Sequence, residues 1–145
     1  MKIKFKRKRY SGGLESDSKK ALGNVLRDRK YRRNQLIYHG AAGGMIGGFA
    51  LFSGAKPLSF LYPPAITLSY AYSKGSKWVR ESTRYLKKKL KEEVRANAEL
   101  KTFLKDYKYV FVDKKGRLAG TNFPRIAGVL GIGRIRIKTK DIVES

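Results

Sequence analysis

From Asn34 to Ser73 the chain runs for 40 residues with a single charged side chain, Lys56. Elsewhere charge is dense, since 31% of the 145 residues are Asp, Glu, Lys or Arg. Cations flank the void on both sides. Residues 1–33 hold 13 basic and 3 acidic side chains, and residues 74–145 hold 20 basic and 8 acidic. The net charge is +23, almost all of it outside the void. A segment so poor in charge is unfavourable in water unless something covers it. That requirement limits every fold open to the chain.

The void has two halves, Leu36–Ala55 and Pro57–Ser73, with Lys56-Pro57 expected as the turn because proline pushes its predecessor out of the helical region. As helices the halves reach about 30 Å and about 26 Å, against a hydrocarbon core of roughly 30 Å. The expectation is an apolar helical hairpin over 34–73 made of two transmembrane spans, the second accommodated by bilayer thinning or by burial against protein. Gly40, Gly44 and Gly48 recur every fourth residue, and Gly43 and Gly47 repeat that spacing one residue earlier. Glycines four apart line one helix face and admit a second backbone, which is how helices pack in lipid. In water each would weaken a helix by about 1 kcal/mol. Pro63-Pro64 falls mid-way along the second half and is expected to kink or break it.

Arg27, Arg29, Lys30, Arg32 and Arg33 precede the void, and Lys74, Lys77, Arg80 and Arg84 follow it. Positive residues stay on the cytoplasmic side, so a membrane location with both termini cytoplasmic is expected. Tyr38, His39, Tyr72 and Trp78 are the expected interfacial residues. The alternative cover is protein: the hairpin buried inside a virion or another nucleoprotein particle such as a ribosome.

The remainder reads as α+β. Residues 1–33 form a basic arm, a short strand and then a helix, with Ile3 and Phe5 opposite Lys2, Lys4, Lys6 and Lys8. Residues 74–107 read as a long basic amphipathic helix, clearest from about 77, with Val79, Leu86, Leu90, Val94, Leu100 and Leu104 at helical spacing. Residues 108–145 read as a basic β-rich tail. YKYVFVD is β-rich, Lys114-Lys115-Gly116 is a hairpin turn, and Ile135 and Ile137 alternate with Arg134, Arg136, Lys138 and Lys140. The N-terminal strand is expected to join the tail in one small antiparallel sheet, apolar on one face and basic on the other. Two such strands side by side would repel unless an anion lay across them. Lys2, Lys4, Lys6, Arg7, Lys8, Arg9, Arg134, Arg136, Lys138 and Lys140 are therefore the candidate polyanion-binding residues.

Catalytic chemistry is not expected. The chain has no Cys and one His, which excludes thiolate metal sites, a disulfide framework and a multi-histidine metal centre. No cofactor, metal or small-molecule substrate is expected. The expected partners are other protein subunits, a membrane, and nucleic acid or anionic lipid bound without sequence preference. The function this suggests is a structural subunit of a membrane-associated assembly, in a DNA-secretion channel or a genome-delivering virion. A soluble nucleoprotein component is the alternative, and a membrane-permeabilising hairpin is a third reading.

Arg33-Asn34-Gln35-Leu36-Ile37, a Gly-rich span, a short loop, Pro63-Pro64-Ala65 and a basic helix with Tyr85-Leu86 follow one another over roughly residues 30–90. This order resembles the small two-span subunit of conjugative type IV secretion systems. The resemblance implies a non-catalytic channel component whose hairpin lies in the inner membrane beside the secretion ATPase. The β-rich tail lies outside it.

Overall fold

The computed structural model describes residues 8–54, 56, 58, 61–122 and 133–144. Along the chain come β1 (Lys8–Arg9), α1 (Ser16–Phe52), α2 (Tyr62–Ala96), α3 (Ala98–Lys105), β2 (Tyr109–Asp113), β3 (Leu118–Thr121), β4 (Arg134–Lys138) and α4 (Lys140–Val143). The fold is α+β, mostly helical, with one four-stranded antiparallel sheet. The chain divides into two compact units, Met1–Leu26 with Thr83–Ser145, and Arg27–Ser82. Each of the two long helices contributes residues to both.

The first unit contains the sheet, in the order β1-β3-β2-β4. β2 and β3 form the expected hairpin. Gly116 takes the left-handed conformation at φ 74°, and the Asp113 carboxylate accepts the Lys115 and Arg117 amides at 2.9 Å each. The period of two in β4 decides its faces: Ile135 and Ile137 are buried, while Arg134, Arg136 and Lys138 are exposed. Val110, Val112, Leu118, Ile135 and Ile137 join one core with Leu22 and Val25 of α1, Leu86, Leu90 and Val94 of α2, Leu100 and Leu104 of α3, and Ile142 of α4. Large aliphatic side chains fill this interior, as in a domain packed in water.

The fold corrects three expectations. The N-terminal strand does join the sheet, but β1 and β4 are its two opposite edges rather than neighbours. β2 and β3 keep their cations apart, so no bridging anion is needed to hold the sheet together. The uninterrupted helix expected to 107 breaks at Asn97. There the amide still closes the last turn of α2 onto Glu93, and the side chain caps α3 by accepting the Glu99 and Leu100 amides. That helix also begins earlier than about 77, because α2 starts at Tyr62 and runs through Gly75.

The second unit is a helical hairpin. Its contacts pair Asp28 with Ser82, Tyr31 with Trp78, Arg32 with Gly75, Gly40 with Leu68 and Gly43 with Pro64. Rising numbers on α1 meet falling numbers on α2, so the two run antiparallel. Pro63-Pro64 does not break the second arm; it opens it. The first turn of a helix has amides with no internal partner and no preceding turn for the ring to strike, so proline is tolerated there. The Thr67 hydroxyl donates towards the Pro63 carbonyl at 2.9 Å and lies 3.1 Å from the His39 carbonyl across the seam.

At two places the arms meet almost backbone to backbone. A Cβ on Gly43 would lie 2.6 Å from the Pro64 Cα, and one on Gly75 would lie 3.2 Å from the Arg32 Cα. Among the described residues of 34–73 only Gly43, Gly47 and Ala71 are buried. The five glycines thus do not act as one face. Gly43 and Gly47 lie inside and Gly40 sits at the edge of the seam, whereas a Cβ added to Gly44 or Gly48 would meet nothing within 4 Å. The helical phase, which spacing alone left open, separates the two sets.

The uncharged part of α1, from Asn34 to Phe52, is about 28 Å long, but that of α2 starts only at Tyr62 and ends near Ser73, about 18 Å. Among the described residues no helix is long and apolar enough to cross a membrane. The expected turn residue Pro57, and Ile3 and Phe5 of the expected N-terminal strand, lie outside the described residues.

Paired alanine substitutions test the seam. Gly43→Ala forces its methyl against the Pro64 backbone and should destabilise the hairpin by about 1–3 kcal/mol. Gly44→Ala meets open space and should be neutral or stabilising by up to about 1 kcal/mol through helix propensity. Denaturant unfolding followed by circular dichroism of each variant in detergent measures both.

Candidate functional site

Two surfaces stand out, one in each unit. In the first unit it is the sheet face opposite the core. Strand pairing puts Arg9, Ala119, Phe111 and Arg136 in one row across all four strands, and Thr121, Tyr109 and Lys138 in the next. Asp113 and Arg134 pair at the far end. Directly opposed side chains in such pairs share a face. The face therefore carries two aromatic rings, Tyr109 and Phe111, both half-buried, with cations on the outer strands. The Arg136 guanidinium lies 5.5 Å from the centre of the Tyr109 ring. The one carboxylate in these rows, Asp113, is committed to the amides of the turn.

At the end of the sheet where Tyr109 and Lys138 sit, a groove of about 830 Å³ opens between β2, β4, α3 and α4. Its walls bring Lys105, Lys108, Lys138 and Lys140 around Tyr109, against Asp106 and Glu144. Lys140 pairs with Glu144 at 3.4 Å, one turn apart. Asn122 fixes the floor by accepting the Lys108 amide at 2.9 Å. The wall made by α4 is tied back to α2 by Lys87, whose ammonium lies 2.6 Å from the Asp141 carboxylate. That hydrogen bond holds the Asp141 carboxyl below its ordinary range.

The second surface is the outside of the hairpin. Met45, Phe49 and Phe52 are 74%, 76% and 95% exposed, and Ile37, Ile46, Leu58, Leu61 and Ile66 are also at the surface. Below this shell aromatic rings and cations interleave. Tyr31 stacks on Trp78 at 5.0 Å, Arg32 lies 4.4 Å over the Tyr72 ring, and Lys74 lies 5.9 Å from both Tyr70 and Trp78. His39 is half-buried, its Nε2 3.0 Å from Gln35 Oε1 and its ring edge-on to Tyr70. Tyr38 is exposed further up the arm.

Of the expected polyanion-binding residues, Arg134, Arg136, Lys138 and Lys140 lie together along β4 and into α4, and Lys8 and Arg9 lie on the opposite edge. Lys2, Lys4, Lys6 and Arg7 lie outside the described residues. Sequence patterning did not single out Tyr109, Phe111, Lys105 and Lys108. The signal was present for the rings: Tyr109 and Phe111 alternate with Val110 and Val112, so a period of two separates an aromatic face from an aliphatic one. The lysines come together only through the tertiary fold. Among the described residues no three His, Asp or Glu side chains form a metal-ligating group.

The Lys87–Asp141 pair predicts a small pH effect. A folded-state carboxyl pKa below its ordinary value contributes stability above that value and loses it as pH falls through the folded one. Asp141→Asn should therefore reduce stability near pH 7 by less than about 1 kcal/mol, since the pair is solvent-screened. The difference from the unsubstituted protein should shrink as pH drops below the ordinary value of 3.8. Thermal melts of both proteins across that range read it out.

No protein-family model, curated protein or solved structure matches the chain.

Proposed function

We propose that this protein is a non-enzymatic structural subunit that anchors a basic, polyanion-binding unit through an apolar hairpin held in a membrane. One observation carries the reading: the hairpin is packed inside out. Within its uncharged stretch the buried positions among the described residues are Gly43, Gly47 and Ala71, with Gly75 and Val79 buried nearer the base, while Ile46, Phe49, Phe52 and Ile66 face outward. In water the large apolar side chains belong in the seam, and each one left exposed forgoes about 1.5–3 kcal/mol. In lipid they gain nothing from the seam, and close backbone contact through small residues is the favoured packing.

The collar supports this reading. Tyr and Trp rings interleaved with Arg and Lys below an uncharged tip suit a headgroup layer, and each basic residue near an anionic leaflet gains about 1 kcal/mol. The short apolar part of α2 favours an assembly over a lone anchor. An apolar arm this short needs help to reach across a bilayer, so the reading calls for a neighbouring subunit. A secretion channel or a genome-delivering virion would supply one.

A second reading is favoured by a specific observation, that no helix among the described residues is long and apolar enough to cross a membrane. In it the same hairpin is buried in the protein interior of a nucleoprotein particle.

Flotation separates the two. Mixed with phosphatidylcholine–phosphatidylglycerol vesicles, the protein should rise with lipid and remain there in high salt. Phe49→Asp should weaken lipid partition by about a hundredfold, the insertion penalty of one carboxylate. Release by salt alone, or flotation indifferent to Phe49→Asp, would move the assignment to the soluble particle.

A further inference from the structure

We infer that the polyanion recognised by the first unit is single-stranded nucleic acid, held on the outer sheet face with Tyr109 as a base-stacking platform and the cations of β4 on the phosphates. The inference rests on the reading of this unit as polyanion-binding and names what it binds.

Charge alone would serve a lipid headgroup, a duplex or a single strand equally. Three features favour the single strand. Tyr109 and Phe111 stand two residues apart on one strand, close to the spacing at which successive unstacked bases can meet aromatic rings. Both are flanked in register by cations of the edge strand, Lys138 beside Tyr109 and Arg136 beside Phe111. A base meeting the Tyr109 ring, which the Arg136 guanidinium approaches to 5.5 Å, therefore comes beside Lys138 in the same row. Across the sheet from Phe111 stands Ala119, whose small side chain keeps the middle of the platform low. A lipid surface has no use for rings placed in this way, and a duplex keeps its base faces stacked away from them.

The groove continues the track. Tyr109 and Lys138 belong both to the face and to the groove wall, where Lys105, Lys108 and Lys140 extend the positive surface past the end of β4. A strand leaving the platform there stays among cations. Binding of this kind is sequence-tolerant, because every base has a stackable face, and it weakens with salt.

The test uses the full chain in non-ionic detergent and a fluorescent oligothymidylate of about 16 nucleotides, read by anisotropy across a salt series. Tyr109→Ala should weaken binding about tenfold with the salt slope unchanged, and Tyr109→Phe should restore it. Arg134→Ala with Lys138→Ala, both exposed, should reduce the slope by about 1.4, or 0.7 per lost phosphate contact. Unlabelled single strand should compete better than duplex of the same length, and better than phosphatidylglycerol vesicles. Equal competition by duplex or by vesicles would overturn the inference, as would a Tyr109→Ala protein that folds and binds like the parent, or an unchanged slope in the Arg134/Lys138 variant. Phe49→Asp, in the other unit, should leave oligothymidylate binding intact, so loss of anchoring and loss of this site are read separately.

Discussion

The contact between Gly43 and the Pro64 backbone governs the second unit. Two helices approach this closely only where no side chain stands between them, and Gly75 against Arg32 repeats the arrangement further down. Once the seam is closed by small residues, the large ones have nowhere to go but outward. Met45, Ile46, Phe49, Phe52 and Ile66 then form a shell that water does not favour. The outward shell follows from the glycine seam, and the need for cover follows from the shell.

The chain thus applies two packing rules. In the first unit leucine, isoleucine and valine fill the interior between sheet and helices, and cations take the surface. In the second unit the buried positions are mostly small, Gly43, Gly47, Ala71 and Gly75 with Val79, and isoleucine, methionine and phenylalanine take the surface. The first rule reflects the hydrophobic effect in water. The second is the rule that applies where the surroundings are themselves apolar. Both occur within α1, whose Leu22 and Val25 are core residues and whose Met45 and Phe49 are not. The change falls where the basic residues from Arg27 to Arg33 end and the charge void begins.

How much of this could be read from residues alone depended on how local each cause was. The Gly116 turn and the alternation in Arg134–Lys138 are written in neighbouring residues, and each appears in the fold as read; the charge void forms a helical hairpin, but among the described residues no helix is long and apolar enough to cross a membrane as expected. Pro63-Pro64 was ambiguous because proline breaks a helix interior but suits a first turn, and only the start at Tyr62 decides between them. Asn97 falls inside the stretch read as one continuous helix; its capping bonds and the bond from its Nδ2 to the Tyr10 hydroxyl, 87 residues away, make it a boundary. The strand order that parts β1 from β4, and the groove lysines that meet at Tyr109, are likewise long-range results that no local pattern announces.

In the proposed reading, lipid covers the outward shell at the tip of the hairpin. Because the chain has no cysteine, one can be placed at Phe52 and labelled uniquely with a polarity-sensitive fluorophore. With phosphatidylcholine–phosphatidylglycerol vesicles the account predicts a blue-shifted emission at Phe52→Cys, quenching by nitroxides on the acyl chains and protection from aqueous iodide. An emission that stays water-like, with iodide quenching undiminished by the vesicles, would contradict it.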